Sequence, residues 1–508
     1  MNYTINDRIS TIDNELATIK YIGPLPAWGP TTIALGLEWD NSERGKNNGD
    51  VNGIQYFQPT IPNSGSFIKS TNKKLQHERK SFISVIRSEY LDVEYENQQL
   101  SFSQQKVVEE IGFDRHNLIL ANLTNLKSIT LDYKLINRAY DMEEDYQDIF
   151  GRFENLERLE ISFNLFNDIE EVWKIVNWLP KLKELNINGN RFSKFSYEDE
   201  VHTGLVSLKL CNTLVSIDTL NEYILPKFPN LQELCIAGNH YTDNDIAQLK
   251  LPPKLNTLDI AYNKIESFPQ IDQISKLNVS HNNITRFTNG NTLPQLKILD
   301  MRHNKINNWD DIDRLSNLAP ILESLRINYN PIFDNISVDE MTLQLIARFS
   351  CQDYKNHSPG KIYKLNEELL NNAEIENFEL YFISKVQSGV YCMSNQLRWQ
   401  YLLEKYQQQE SRMSLESEKL KRWVRLQINI PGKEPQSRIF SNSNSILRLK
   451  GVISQLHLDN LSILEFEVYY YINHPSSTIQ IKQELNDYLT TLDMYSLHQN
   501  QNIYITLL

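Results

Sequence analysis

Apolar residues in the middle of this chain recur in a fixed frame. From Leu126 to Ile332 the pattern L-x-x-L-x-L-x-x-N-x-φ repeats, φ being a large apolar residue. Clear copies include Leu182/Leu185/Ile187/Asn190/Phe192 and Leu255/Leu258/Ile260/Asn263/Ile265. Two copies are degenerate, with Lys134 and Thr213 at the Asn position. The nine copies start at 126, 156, 182, 205, 231, 255, 274, 296 and 322, at intervals of 19 to 30 residues. Alternation within L-x-L predicts a short strand per copy, and the Asn amide is placed to bond the backbone turning away from it. One copy cannot bury its own apolar edge, so the copies must stack.

A period of this length with this consensus is that of an α/β leucine-rich-repeat solenoid, expected over 116–350. The strand positions between the leucines face outward: Glu160, Asn186, Lys209, Cys235, Asp259, Asn278, Asp300 and Arg326, flanked by Arg158, Lys276 and Arg302. Their charges are mixed and none is aromatic, so this face offers a partner surface without an evident anchor. Cys211 and Cys235 fall on neighbouring strands and are expected to be free thiols.

The flanks read differently. Residues 1–75 alternate short β-type runs (Ala17–Ile22, Ile33–Trp39, Gly53–Phe57, Gly65–Ile68) with Gly, Pro and Asn clusters, predicting a small all-β barrel. Residues 76–115 read as a helical linker, with Phe82, Ile83 and Ile86 on one stripe. Met341–Phe349 and Ile362–Val386 read as helices capping the solenoid, and 402–422 as a polar linker, within a cap-and-linker region 351–420. Strand signals at Trp423–Ile430, Ile439–Phe440, Leu464–Tyr471 and Ile503–Leu507, with a helix at Ser445–Leu456, predict an α+β roll over 421–508.

Composition narrows the chemistry. The chain has 508 residues, 51 Lys and Arg against 64 Asp and Glu, and a net charge of −13, which argues against a general nucleic-acid binder. Four cysteines without a CxxC pair exclude a disulfide framework and a zinc knuckle. The start lacks the apolar core of a signal peptide, and no run reaches the roughly 20 apolar residues of a membrane span, so no membrane association is expected. Gly45-Lys-Asn-Asn-Gly49 lacks P-loop spacing, and no H-x-x-x-H, G-x-S-x-G or kinase pattern occurs. The expectation is a binding protein, not an enzyme, with no cofactor and no metal.

The sharpest motif lies in the first segment. Ile19-Lys-Tyr-Ile-Gly23, Leu35-Gly-Leu-Glu-Trp-Asp40, Gly45-Lys-Asn-Asn-Gly49, Val51-Asn-Gly53 with Tyr56-Phe57, and Gly65-Ser-Phe-Ile68 follow in order. This resembles the CAP-Gly domain, an SH3-like barrel whose signature is G-K-N-D-G followed by G-x-x-Y-F and G-x-F-V. Asn48 stands where that family has Asp, removing a charge but keeping a turn-forming side chain. The resemblance implies binding of acidic E-E-Y/F tails such as that of α-tubulin, through Trp28, Lys46, Asn47, Asn48, Gly49 and Phe67. Locally the chemistry suits it. Residues 41–80 hold seven Lys and Arg against three acids, and Lys46 with exposed N–H groups suits carboxylates.

The last segment resembles a ubiquitin-like roll and ends at Leu507-Leu508 without the paired glycines of a conjugating tail, so a fixed docking module is expected. CAP-Gly, leucine-rich repeats and a ubiquitin-like roll in that order resemble the tubulin-folding cofactor E family. That resemblance implies a cytoplasmic, cytoskeleton-associated chaperone. It would bind α-tubulin, act with tubulin-folding cofactors D and B in assembly and dissociation of the α/β-tubulin heterodimer, and meet the proteasome through the roll. The competing reading is a CAP-Gly microtubule-associated structural or plus-end protein. Such proteins pair the domain with coiled coils or basic serine-rich flanks, and neither is present here. A ubiquitin-pathway adaptor would rest on the last segment alone.

Overall fold

The computed structural model describes residues 3–92, 101–103, 106–107, 122–196, 200–287, 292–349, 362–370, 372–413, 423–473, 480–495 and 497–508. Contacts divide the chain into a first unit, Met1–Ile284, and a second, Thr285–Leu508.

In the first unit, five antiparallel strands run in the spatial order Gly65–Lys69, Ile33–Trp39, Leu16–Pro24, Arg8–Thr11 and Leu75–Gln76. Alternation turns Ile9, Ala17, Ile19, Leu35, Leu37, Trp39 and Leu75 into one core. The hairpin Asp50–Val51/Ile54–Gln55 turns at Asn52 and Gly53, both at positive φ (52° and 79°), the conformation a two-residue hairpin loop requires.

The segment after the barrel is packed, which corrects the linker reading as far as Leu91. Lys80–Ser81 pairs in parallel with Ile136–Arg138 of the first repeat. Ser81 then caps the helix Phe82–Ile86, its hydroxyl accepting from the Ser84 N–H. Phe82, Ile83 and Ile86 are fully buried, and Phe82 stacks on Phe150 with ring centroids 5.7 Å apart. That apolar stripe is worth roughly 1.5–3 kcal/mol per side chain, which ties the chain down. Within the expected linker, residues 93–100, 104–105 and 108–115 lie outside the described residues.

The repeats follow the predicted register. Leu159, Leu185, Leu208, Leu234, Leu258 and Leu277 stand opposite one another in six parallel strands, and each is buried. The Asn side chains bind two repeats at once. Asn239 Nδ2 donates to the Leu210 carbonyl (3.0 Å) and the Ile236 carbonyl (2.9 Å), while its Oδ1 accepts from the Thr213 N–H at 2.9 Å. The degenerate copy compensates locally, because the Thr213 hydroxyl donates to the Leu210 carbonyl at 2.9 Å.

In the second unit the strands Ile298–Asp300, Ser324–Arg326 and Lys364–Leu365 run parallel, and Glu368–Leu369 folds back on the last of them. The helix expected over Ile362–Val386 is therefore a hairpin followed by a helix, Asn372–Gln387. The open edge of Ser324–Arg326 captures residues 364 and 365, and Asn366 and Glu367 turn at positive φ (49° and 76°). The parallel sheet thus extends past residue 350. The helix expected at Met341–Phe349 spans Val338–Arg348.

The polar stretch from 402 was expected to be a linker, yet it continues the helix Gln396–Met413. Leu402 and Tyr406, one turn apart, are buried against Phe382 and Leu380, and this contact outweighs the polar composition. Residues 414–422 lie outside the described residues. The cap is also held by charge. Arg348 donates to Asp313 at 2.8 Å, with both side chains 1% exposed, and Glu379 accepts from Arg398 and from the Tyr406 hydroxyl, each at 2.7 Å.

The roll orders its strands as Gln436–Ser441, Trp423–Asn429, Gln501–Leu507, Phe466–Asn473 and Gln480–Glu484, with Trp423–Asn429 and Gln501–Leu507 parallel. The helix Ile446–His457, capped by Ser445, packs Ile446, Leu449 and Ile453 onto them. Gln480–Glu484 escaped sequence reading because it is an exposed edge strand with little apolar alternation. Trp423 and Ile439 of the roll pack with the cap helices, and the Ser441 N–H donates to Asn377 Oδ1 at 3.1 Å. A cavity of about 130 Å³ lies there, lined by Glu340, Phe378, Tyr381, Tyr391, Arg438 and Arg448 among others. Among the described residues no helix is long and apolar enough to cross a membrane.

Candidate functional site

The Gly45–Gly49 loop is built on the barrel's edge strand. Lys46 and Asn47 N–H groups both donate to the Gly65 carbonyl (2.7 and 3.1 Å), and Gly65 N–H donates to the Asn47 carbonyl at 2.9 Å. Asn47 Oδ1 accepts from Gly49 N–H at 3.0 Å. Asn48 closes the loop on the opposite side, its Oδ1 accepting from Asn63 N–H (2.6 Å) and its Nδ2 donating to Asn63 Oδ1 (3.0 Å). The amide thus makes a donor contact that the family's Asp, when ionised, cannot make. Glycine is required at two points. A Cβ on Gly45 would lie 1.8 Å from the Asn63 carbonyl oxygen, and one on Gly49 (φ +83°) 2.0 Å from that of Phe57.

This scaffolding leaves the Lys46 and Asn48 side chains exposed. Beside the loop stands a cluster of half-buried rings. Tyr56 lies edge-on to Phe67 (centroids 5.6 Å) and to Tyr21 (5.1 Å), and Phe57 backs Phe67 at 5.4 Å. Gly36 makes room for Phe57, since a Cβ there would stand 2.5 Å from its ring. The Tyr21 hydroxyl donates to the Pro24 carbonyl at 2.9 Å, fixing that ring. Phe67 therefore belongs to the ring cluster. Trp28 sits in the turn Pro26–Trp28, with the Lys69 ammonium 5.9 Å from its ring centroid. Tyr21 and Tyr56 were not among the expected binding residues. Their signal was available, since Tyr21 and Tyr56 both lie inside motif elements.

The arrangement offers a cation, an exposed side-chain amide and an aromatic platform side by side. That is the chemistry for a short peptide carrying carboxylates and an aromatic ring.

The barrel is seated on the repeats by charge. Arg8, 1% exposed, donates to both Asp40 oxygens at 2.6 Å and to the Gly189 carbonyl at 3.2 Å. Arg191 Nε stands 3.9 Å from Asp40, and Asn167 Nδ2 donates to the Asn6 carbonyl at 3.1 Å. Burial pushes the Asp40 carboxyl up, but the charge and hydrogen bonds of Arg8, with Arg191, outweigh it and hold it below its ordinary value.

On the repeats themselves the expected strand residues are partly exposed except Asp300, which is buried under Arg302 and Arg326, and the aromatics lie elsewhere. The residue just before each ladder position adopts positive φ: Tyr133 58°, Phe163 52°, Gly189 67°, Asn212 52°, Gly238 69°, Tyr262 54° and His281 54°. Tyr133 stacks on Phe163 (4.9 Å) and Tyr262 on His281 (4.1 Å). In the second unit His303 stacks on Tyr329 at 4.3 Å. Stacking offsets part of the cost of the left-handed backbone. Tyr133, Tyr262 and Tyr329 remain 49%, 60% and 66% exposed.

Comparison with known proteins agrees with this geometry. The family model of the CAP-Gly domain matches residues 5–73. The chain is 28% identical to Protein PAC2 of Saccharomyces cerevisiae over 92% of this chain and 91% of that one. It is 30% identical to tubulin-specific chaperone E of Xenopus laevis over 54% of this chain and 50% of that protein, and 25% identical to tubulin-folding cofactor E of Arabidopsis thaliana over 54% and 52%. The matched segment thus spans about half the length of these chaperone E relatives. The chain is similar to tubulin-specific chaperone E proteins over about half of its length, and it carries a CAP-Gly domain, leucine-rich repeats and a ubiquitin-like roll in that order.

Proposed function

We propose that this protein is a tubulin-folding cofactor that holds α-tubulin by its acidic carboxy-terminal tail and acts in assembly and dissociation of the α/β heterodimer. The observation that carries the reading is the loop Gly45–Gly49 set beside Tyr21, Tyr56 and Phe67. Lys46 takes the tail carboxylates, the loop holding it in place, and the rings take the tail's aromatic end. Trp28, Lys46, Asn47, Asn48, Gly49 and Phe67 are the proposed contacts. The stacked pairs Tyr133–Phe163 and Tyr262–His281 supply apolar surface for the tubulin body that the strand face lacks. Cofactors D and B are the proposed co-workers, and the roll, packed by Trp423 and Ile439 onto the cap helices, is a docking module for the proteasome. The reading places the protein in the cytoplasm with the cytoskeleton, as a binder without catalytic chemistry.

Size-exclusion chromatography of the full chain with tubulin tests this reading. A cofactor captures soluble tubulin and lowers polymer mass in a sedimentation assay. A lattice or plus-end protein pellets with polymer and leaves its mass unchanged or raised, and that result would overturn the proposal.

A further inference from the structure

Cys211 and Cys235 lie on neighbouring repeats with their sulfurs 2.9 Å apart, against about 2.0 Å in a disulfide. The sheet holds both backbones in place. Cys235 ends the strand Glu233–Cys235, opposite Lys209 and Asp259, and its carbonyl accepts from Leu210 N–H at 2.7 Å. Cys211 N–H donates to Asn188 Oδ1 at 2.6 Å, and its carbonyl accepts from Gly189 N–H at 2.9 Å. Neither side chain is fully buried. The pair also adjoins the barrel's seat, because Gly189 gives its carbonyl to Arg8 and Asn212 gives its carbonyl to Arg191.

We propose that Cys211 and Cys235 are a reversible redox pair, oxidised by a low-molecular-weight disulfide to an intrachain disulfide that staples two repeats beside the seat of the N-terminal barrel. The hydrogen bond from Cys235 and the nearby Lys209 hold the Cys211 thiol below its ordinary range against burial. The bond to Cys211 and burial push Cys235 up. Either sulfur can attack first and the other resolve, since both are half-buried and stand 2.9 Å apart.

In one order, the Cys211 thiolate attacks one sulfur of the small disulfide, whose S–S bond breaks and releases one thiolate. Cys235 then loses its proton and attacks Cys211 in the mixed disulfide, forming the Cys211–Cys235 bond and expelling the second thiolate. The two protein thiols give up two electrons and two protons, and the small disulfide takes both. A disulfide of this kind in a reducing compartment is transient and regulatory rather than structural.

The test equilibrates the full chain in glutathione buffers from fully reduced to fully oxidised, quenches with acid, alkylates, and maps peptides without reduction. The expected result is a Cys211–Cys235 cross-link that appears and disappears reversibly, with Cys392 excluded from it. Cys235→Ser and Cys211→Ser should each instead trap glutathione on the cysteine that remains, with no intrachain cross-link. Circular dichroism confirms that both variants fold. Two alkylated thiols across the whole range, or cross-links between chains only, would overturn the proposal.

Discussion

Arg8 grips Asp40 through two parallel hydrogen bonds of 2.6 Å, and the same guanidinium reaches out of the barrel to the Gly189 carbonyl of the solenoid. One buried ion pair thus joins the fold of the CAP-Gly domain to its seat on the repeats. Asp40→Ala leaves Arg8 and Arg191 buried together without a counter-charge. It should cost about 3–5 kcal/mol in chemical denaturation of the first unit. Arg8→Met combined with Asp40→Leu should recover part of that loss, because it removes the uncompensated Arg8 charge while Arg191 still lacks its counter-charge.

Acid should act on the two units through different groups. In the roll, burial, followed by the charges of Arg438, Lys385 and Lys433, lowers His457 from 6.5 to about 4. The folded state keeps this imidazole neutral while the unfolded chain takes up a proton. Its contribution is therefore complete above pH 6.5, falls as pH drops towards 4, and is flat below that. The loss should show as a fall in stability between pH 6.5 and 4 in urea titrations of the full chain, and His457→Gln should remove it. Asp40, held below its ordinary 3.8, behaves in the same sense in a lower window. Its stabilisation persists above that value and is lost only as pH falls through the folded value.

Glycine substitutions should divide by geometry. Gly189 has φ +67°, and a Cβ there would stand 2.3 Å from the Phe163 ring, which is itself stacked on Tyr133. Gly189→Ala should cost about 1–3 kcal/mol. Gly151 closes the helix Tyr146–Gly151 with open space around it, so Gly151→Ala should be neutral or stabilise by up to about 1 kcal/mol. Thermal melts of the two variants in parallel check the contrast.

Sequence pattern made the repeats legible residue by residue, because each Leu and Asn has one structural duty and the period leaves little choice of register. The loop Gly45–Gly49 was legible for a similar reason, since its glycines answer close backbone approaches. The errors came where tertiary contact overrode local composition. Residues 402–413 are polar yet helical because Leu402 and Tyr406 find a buried partner face, and Lys364–Leu365 is a strand because the sheet edge captures it. The stacked pairs Tyr133–Phe163 and Tyr262–His281 were hidden at positions where an aromatic adopts a left-handed backbone, outside the strand face where a surface was sought. The Arg8–Asp40–Gly189 contact joins residues 181 positions apart and has no local signature.

The central claim is that the loop of Lys46 and Asn47, with the Tyr56–Phe67 platform, reads an acidic tail. Isothermal titration of a peptide ending in Glu-Glu-Tyr against the full chain tests it most directly. Lys46→Ala with Asn47→Ala should weaken binding at least tenfold, about 1.4 kcal/mol, with raised salt weakening the wild-type interaction in the same direction. An unchanged affinity in a variant that melts like the wild type would contradict the account.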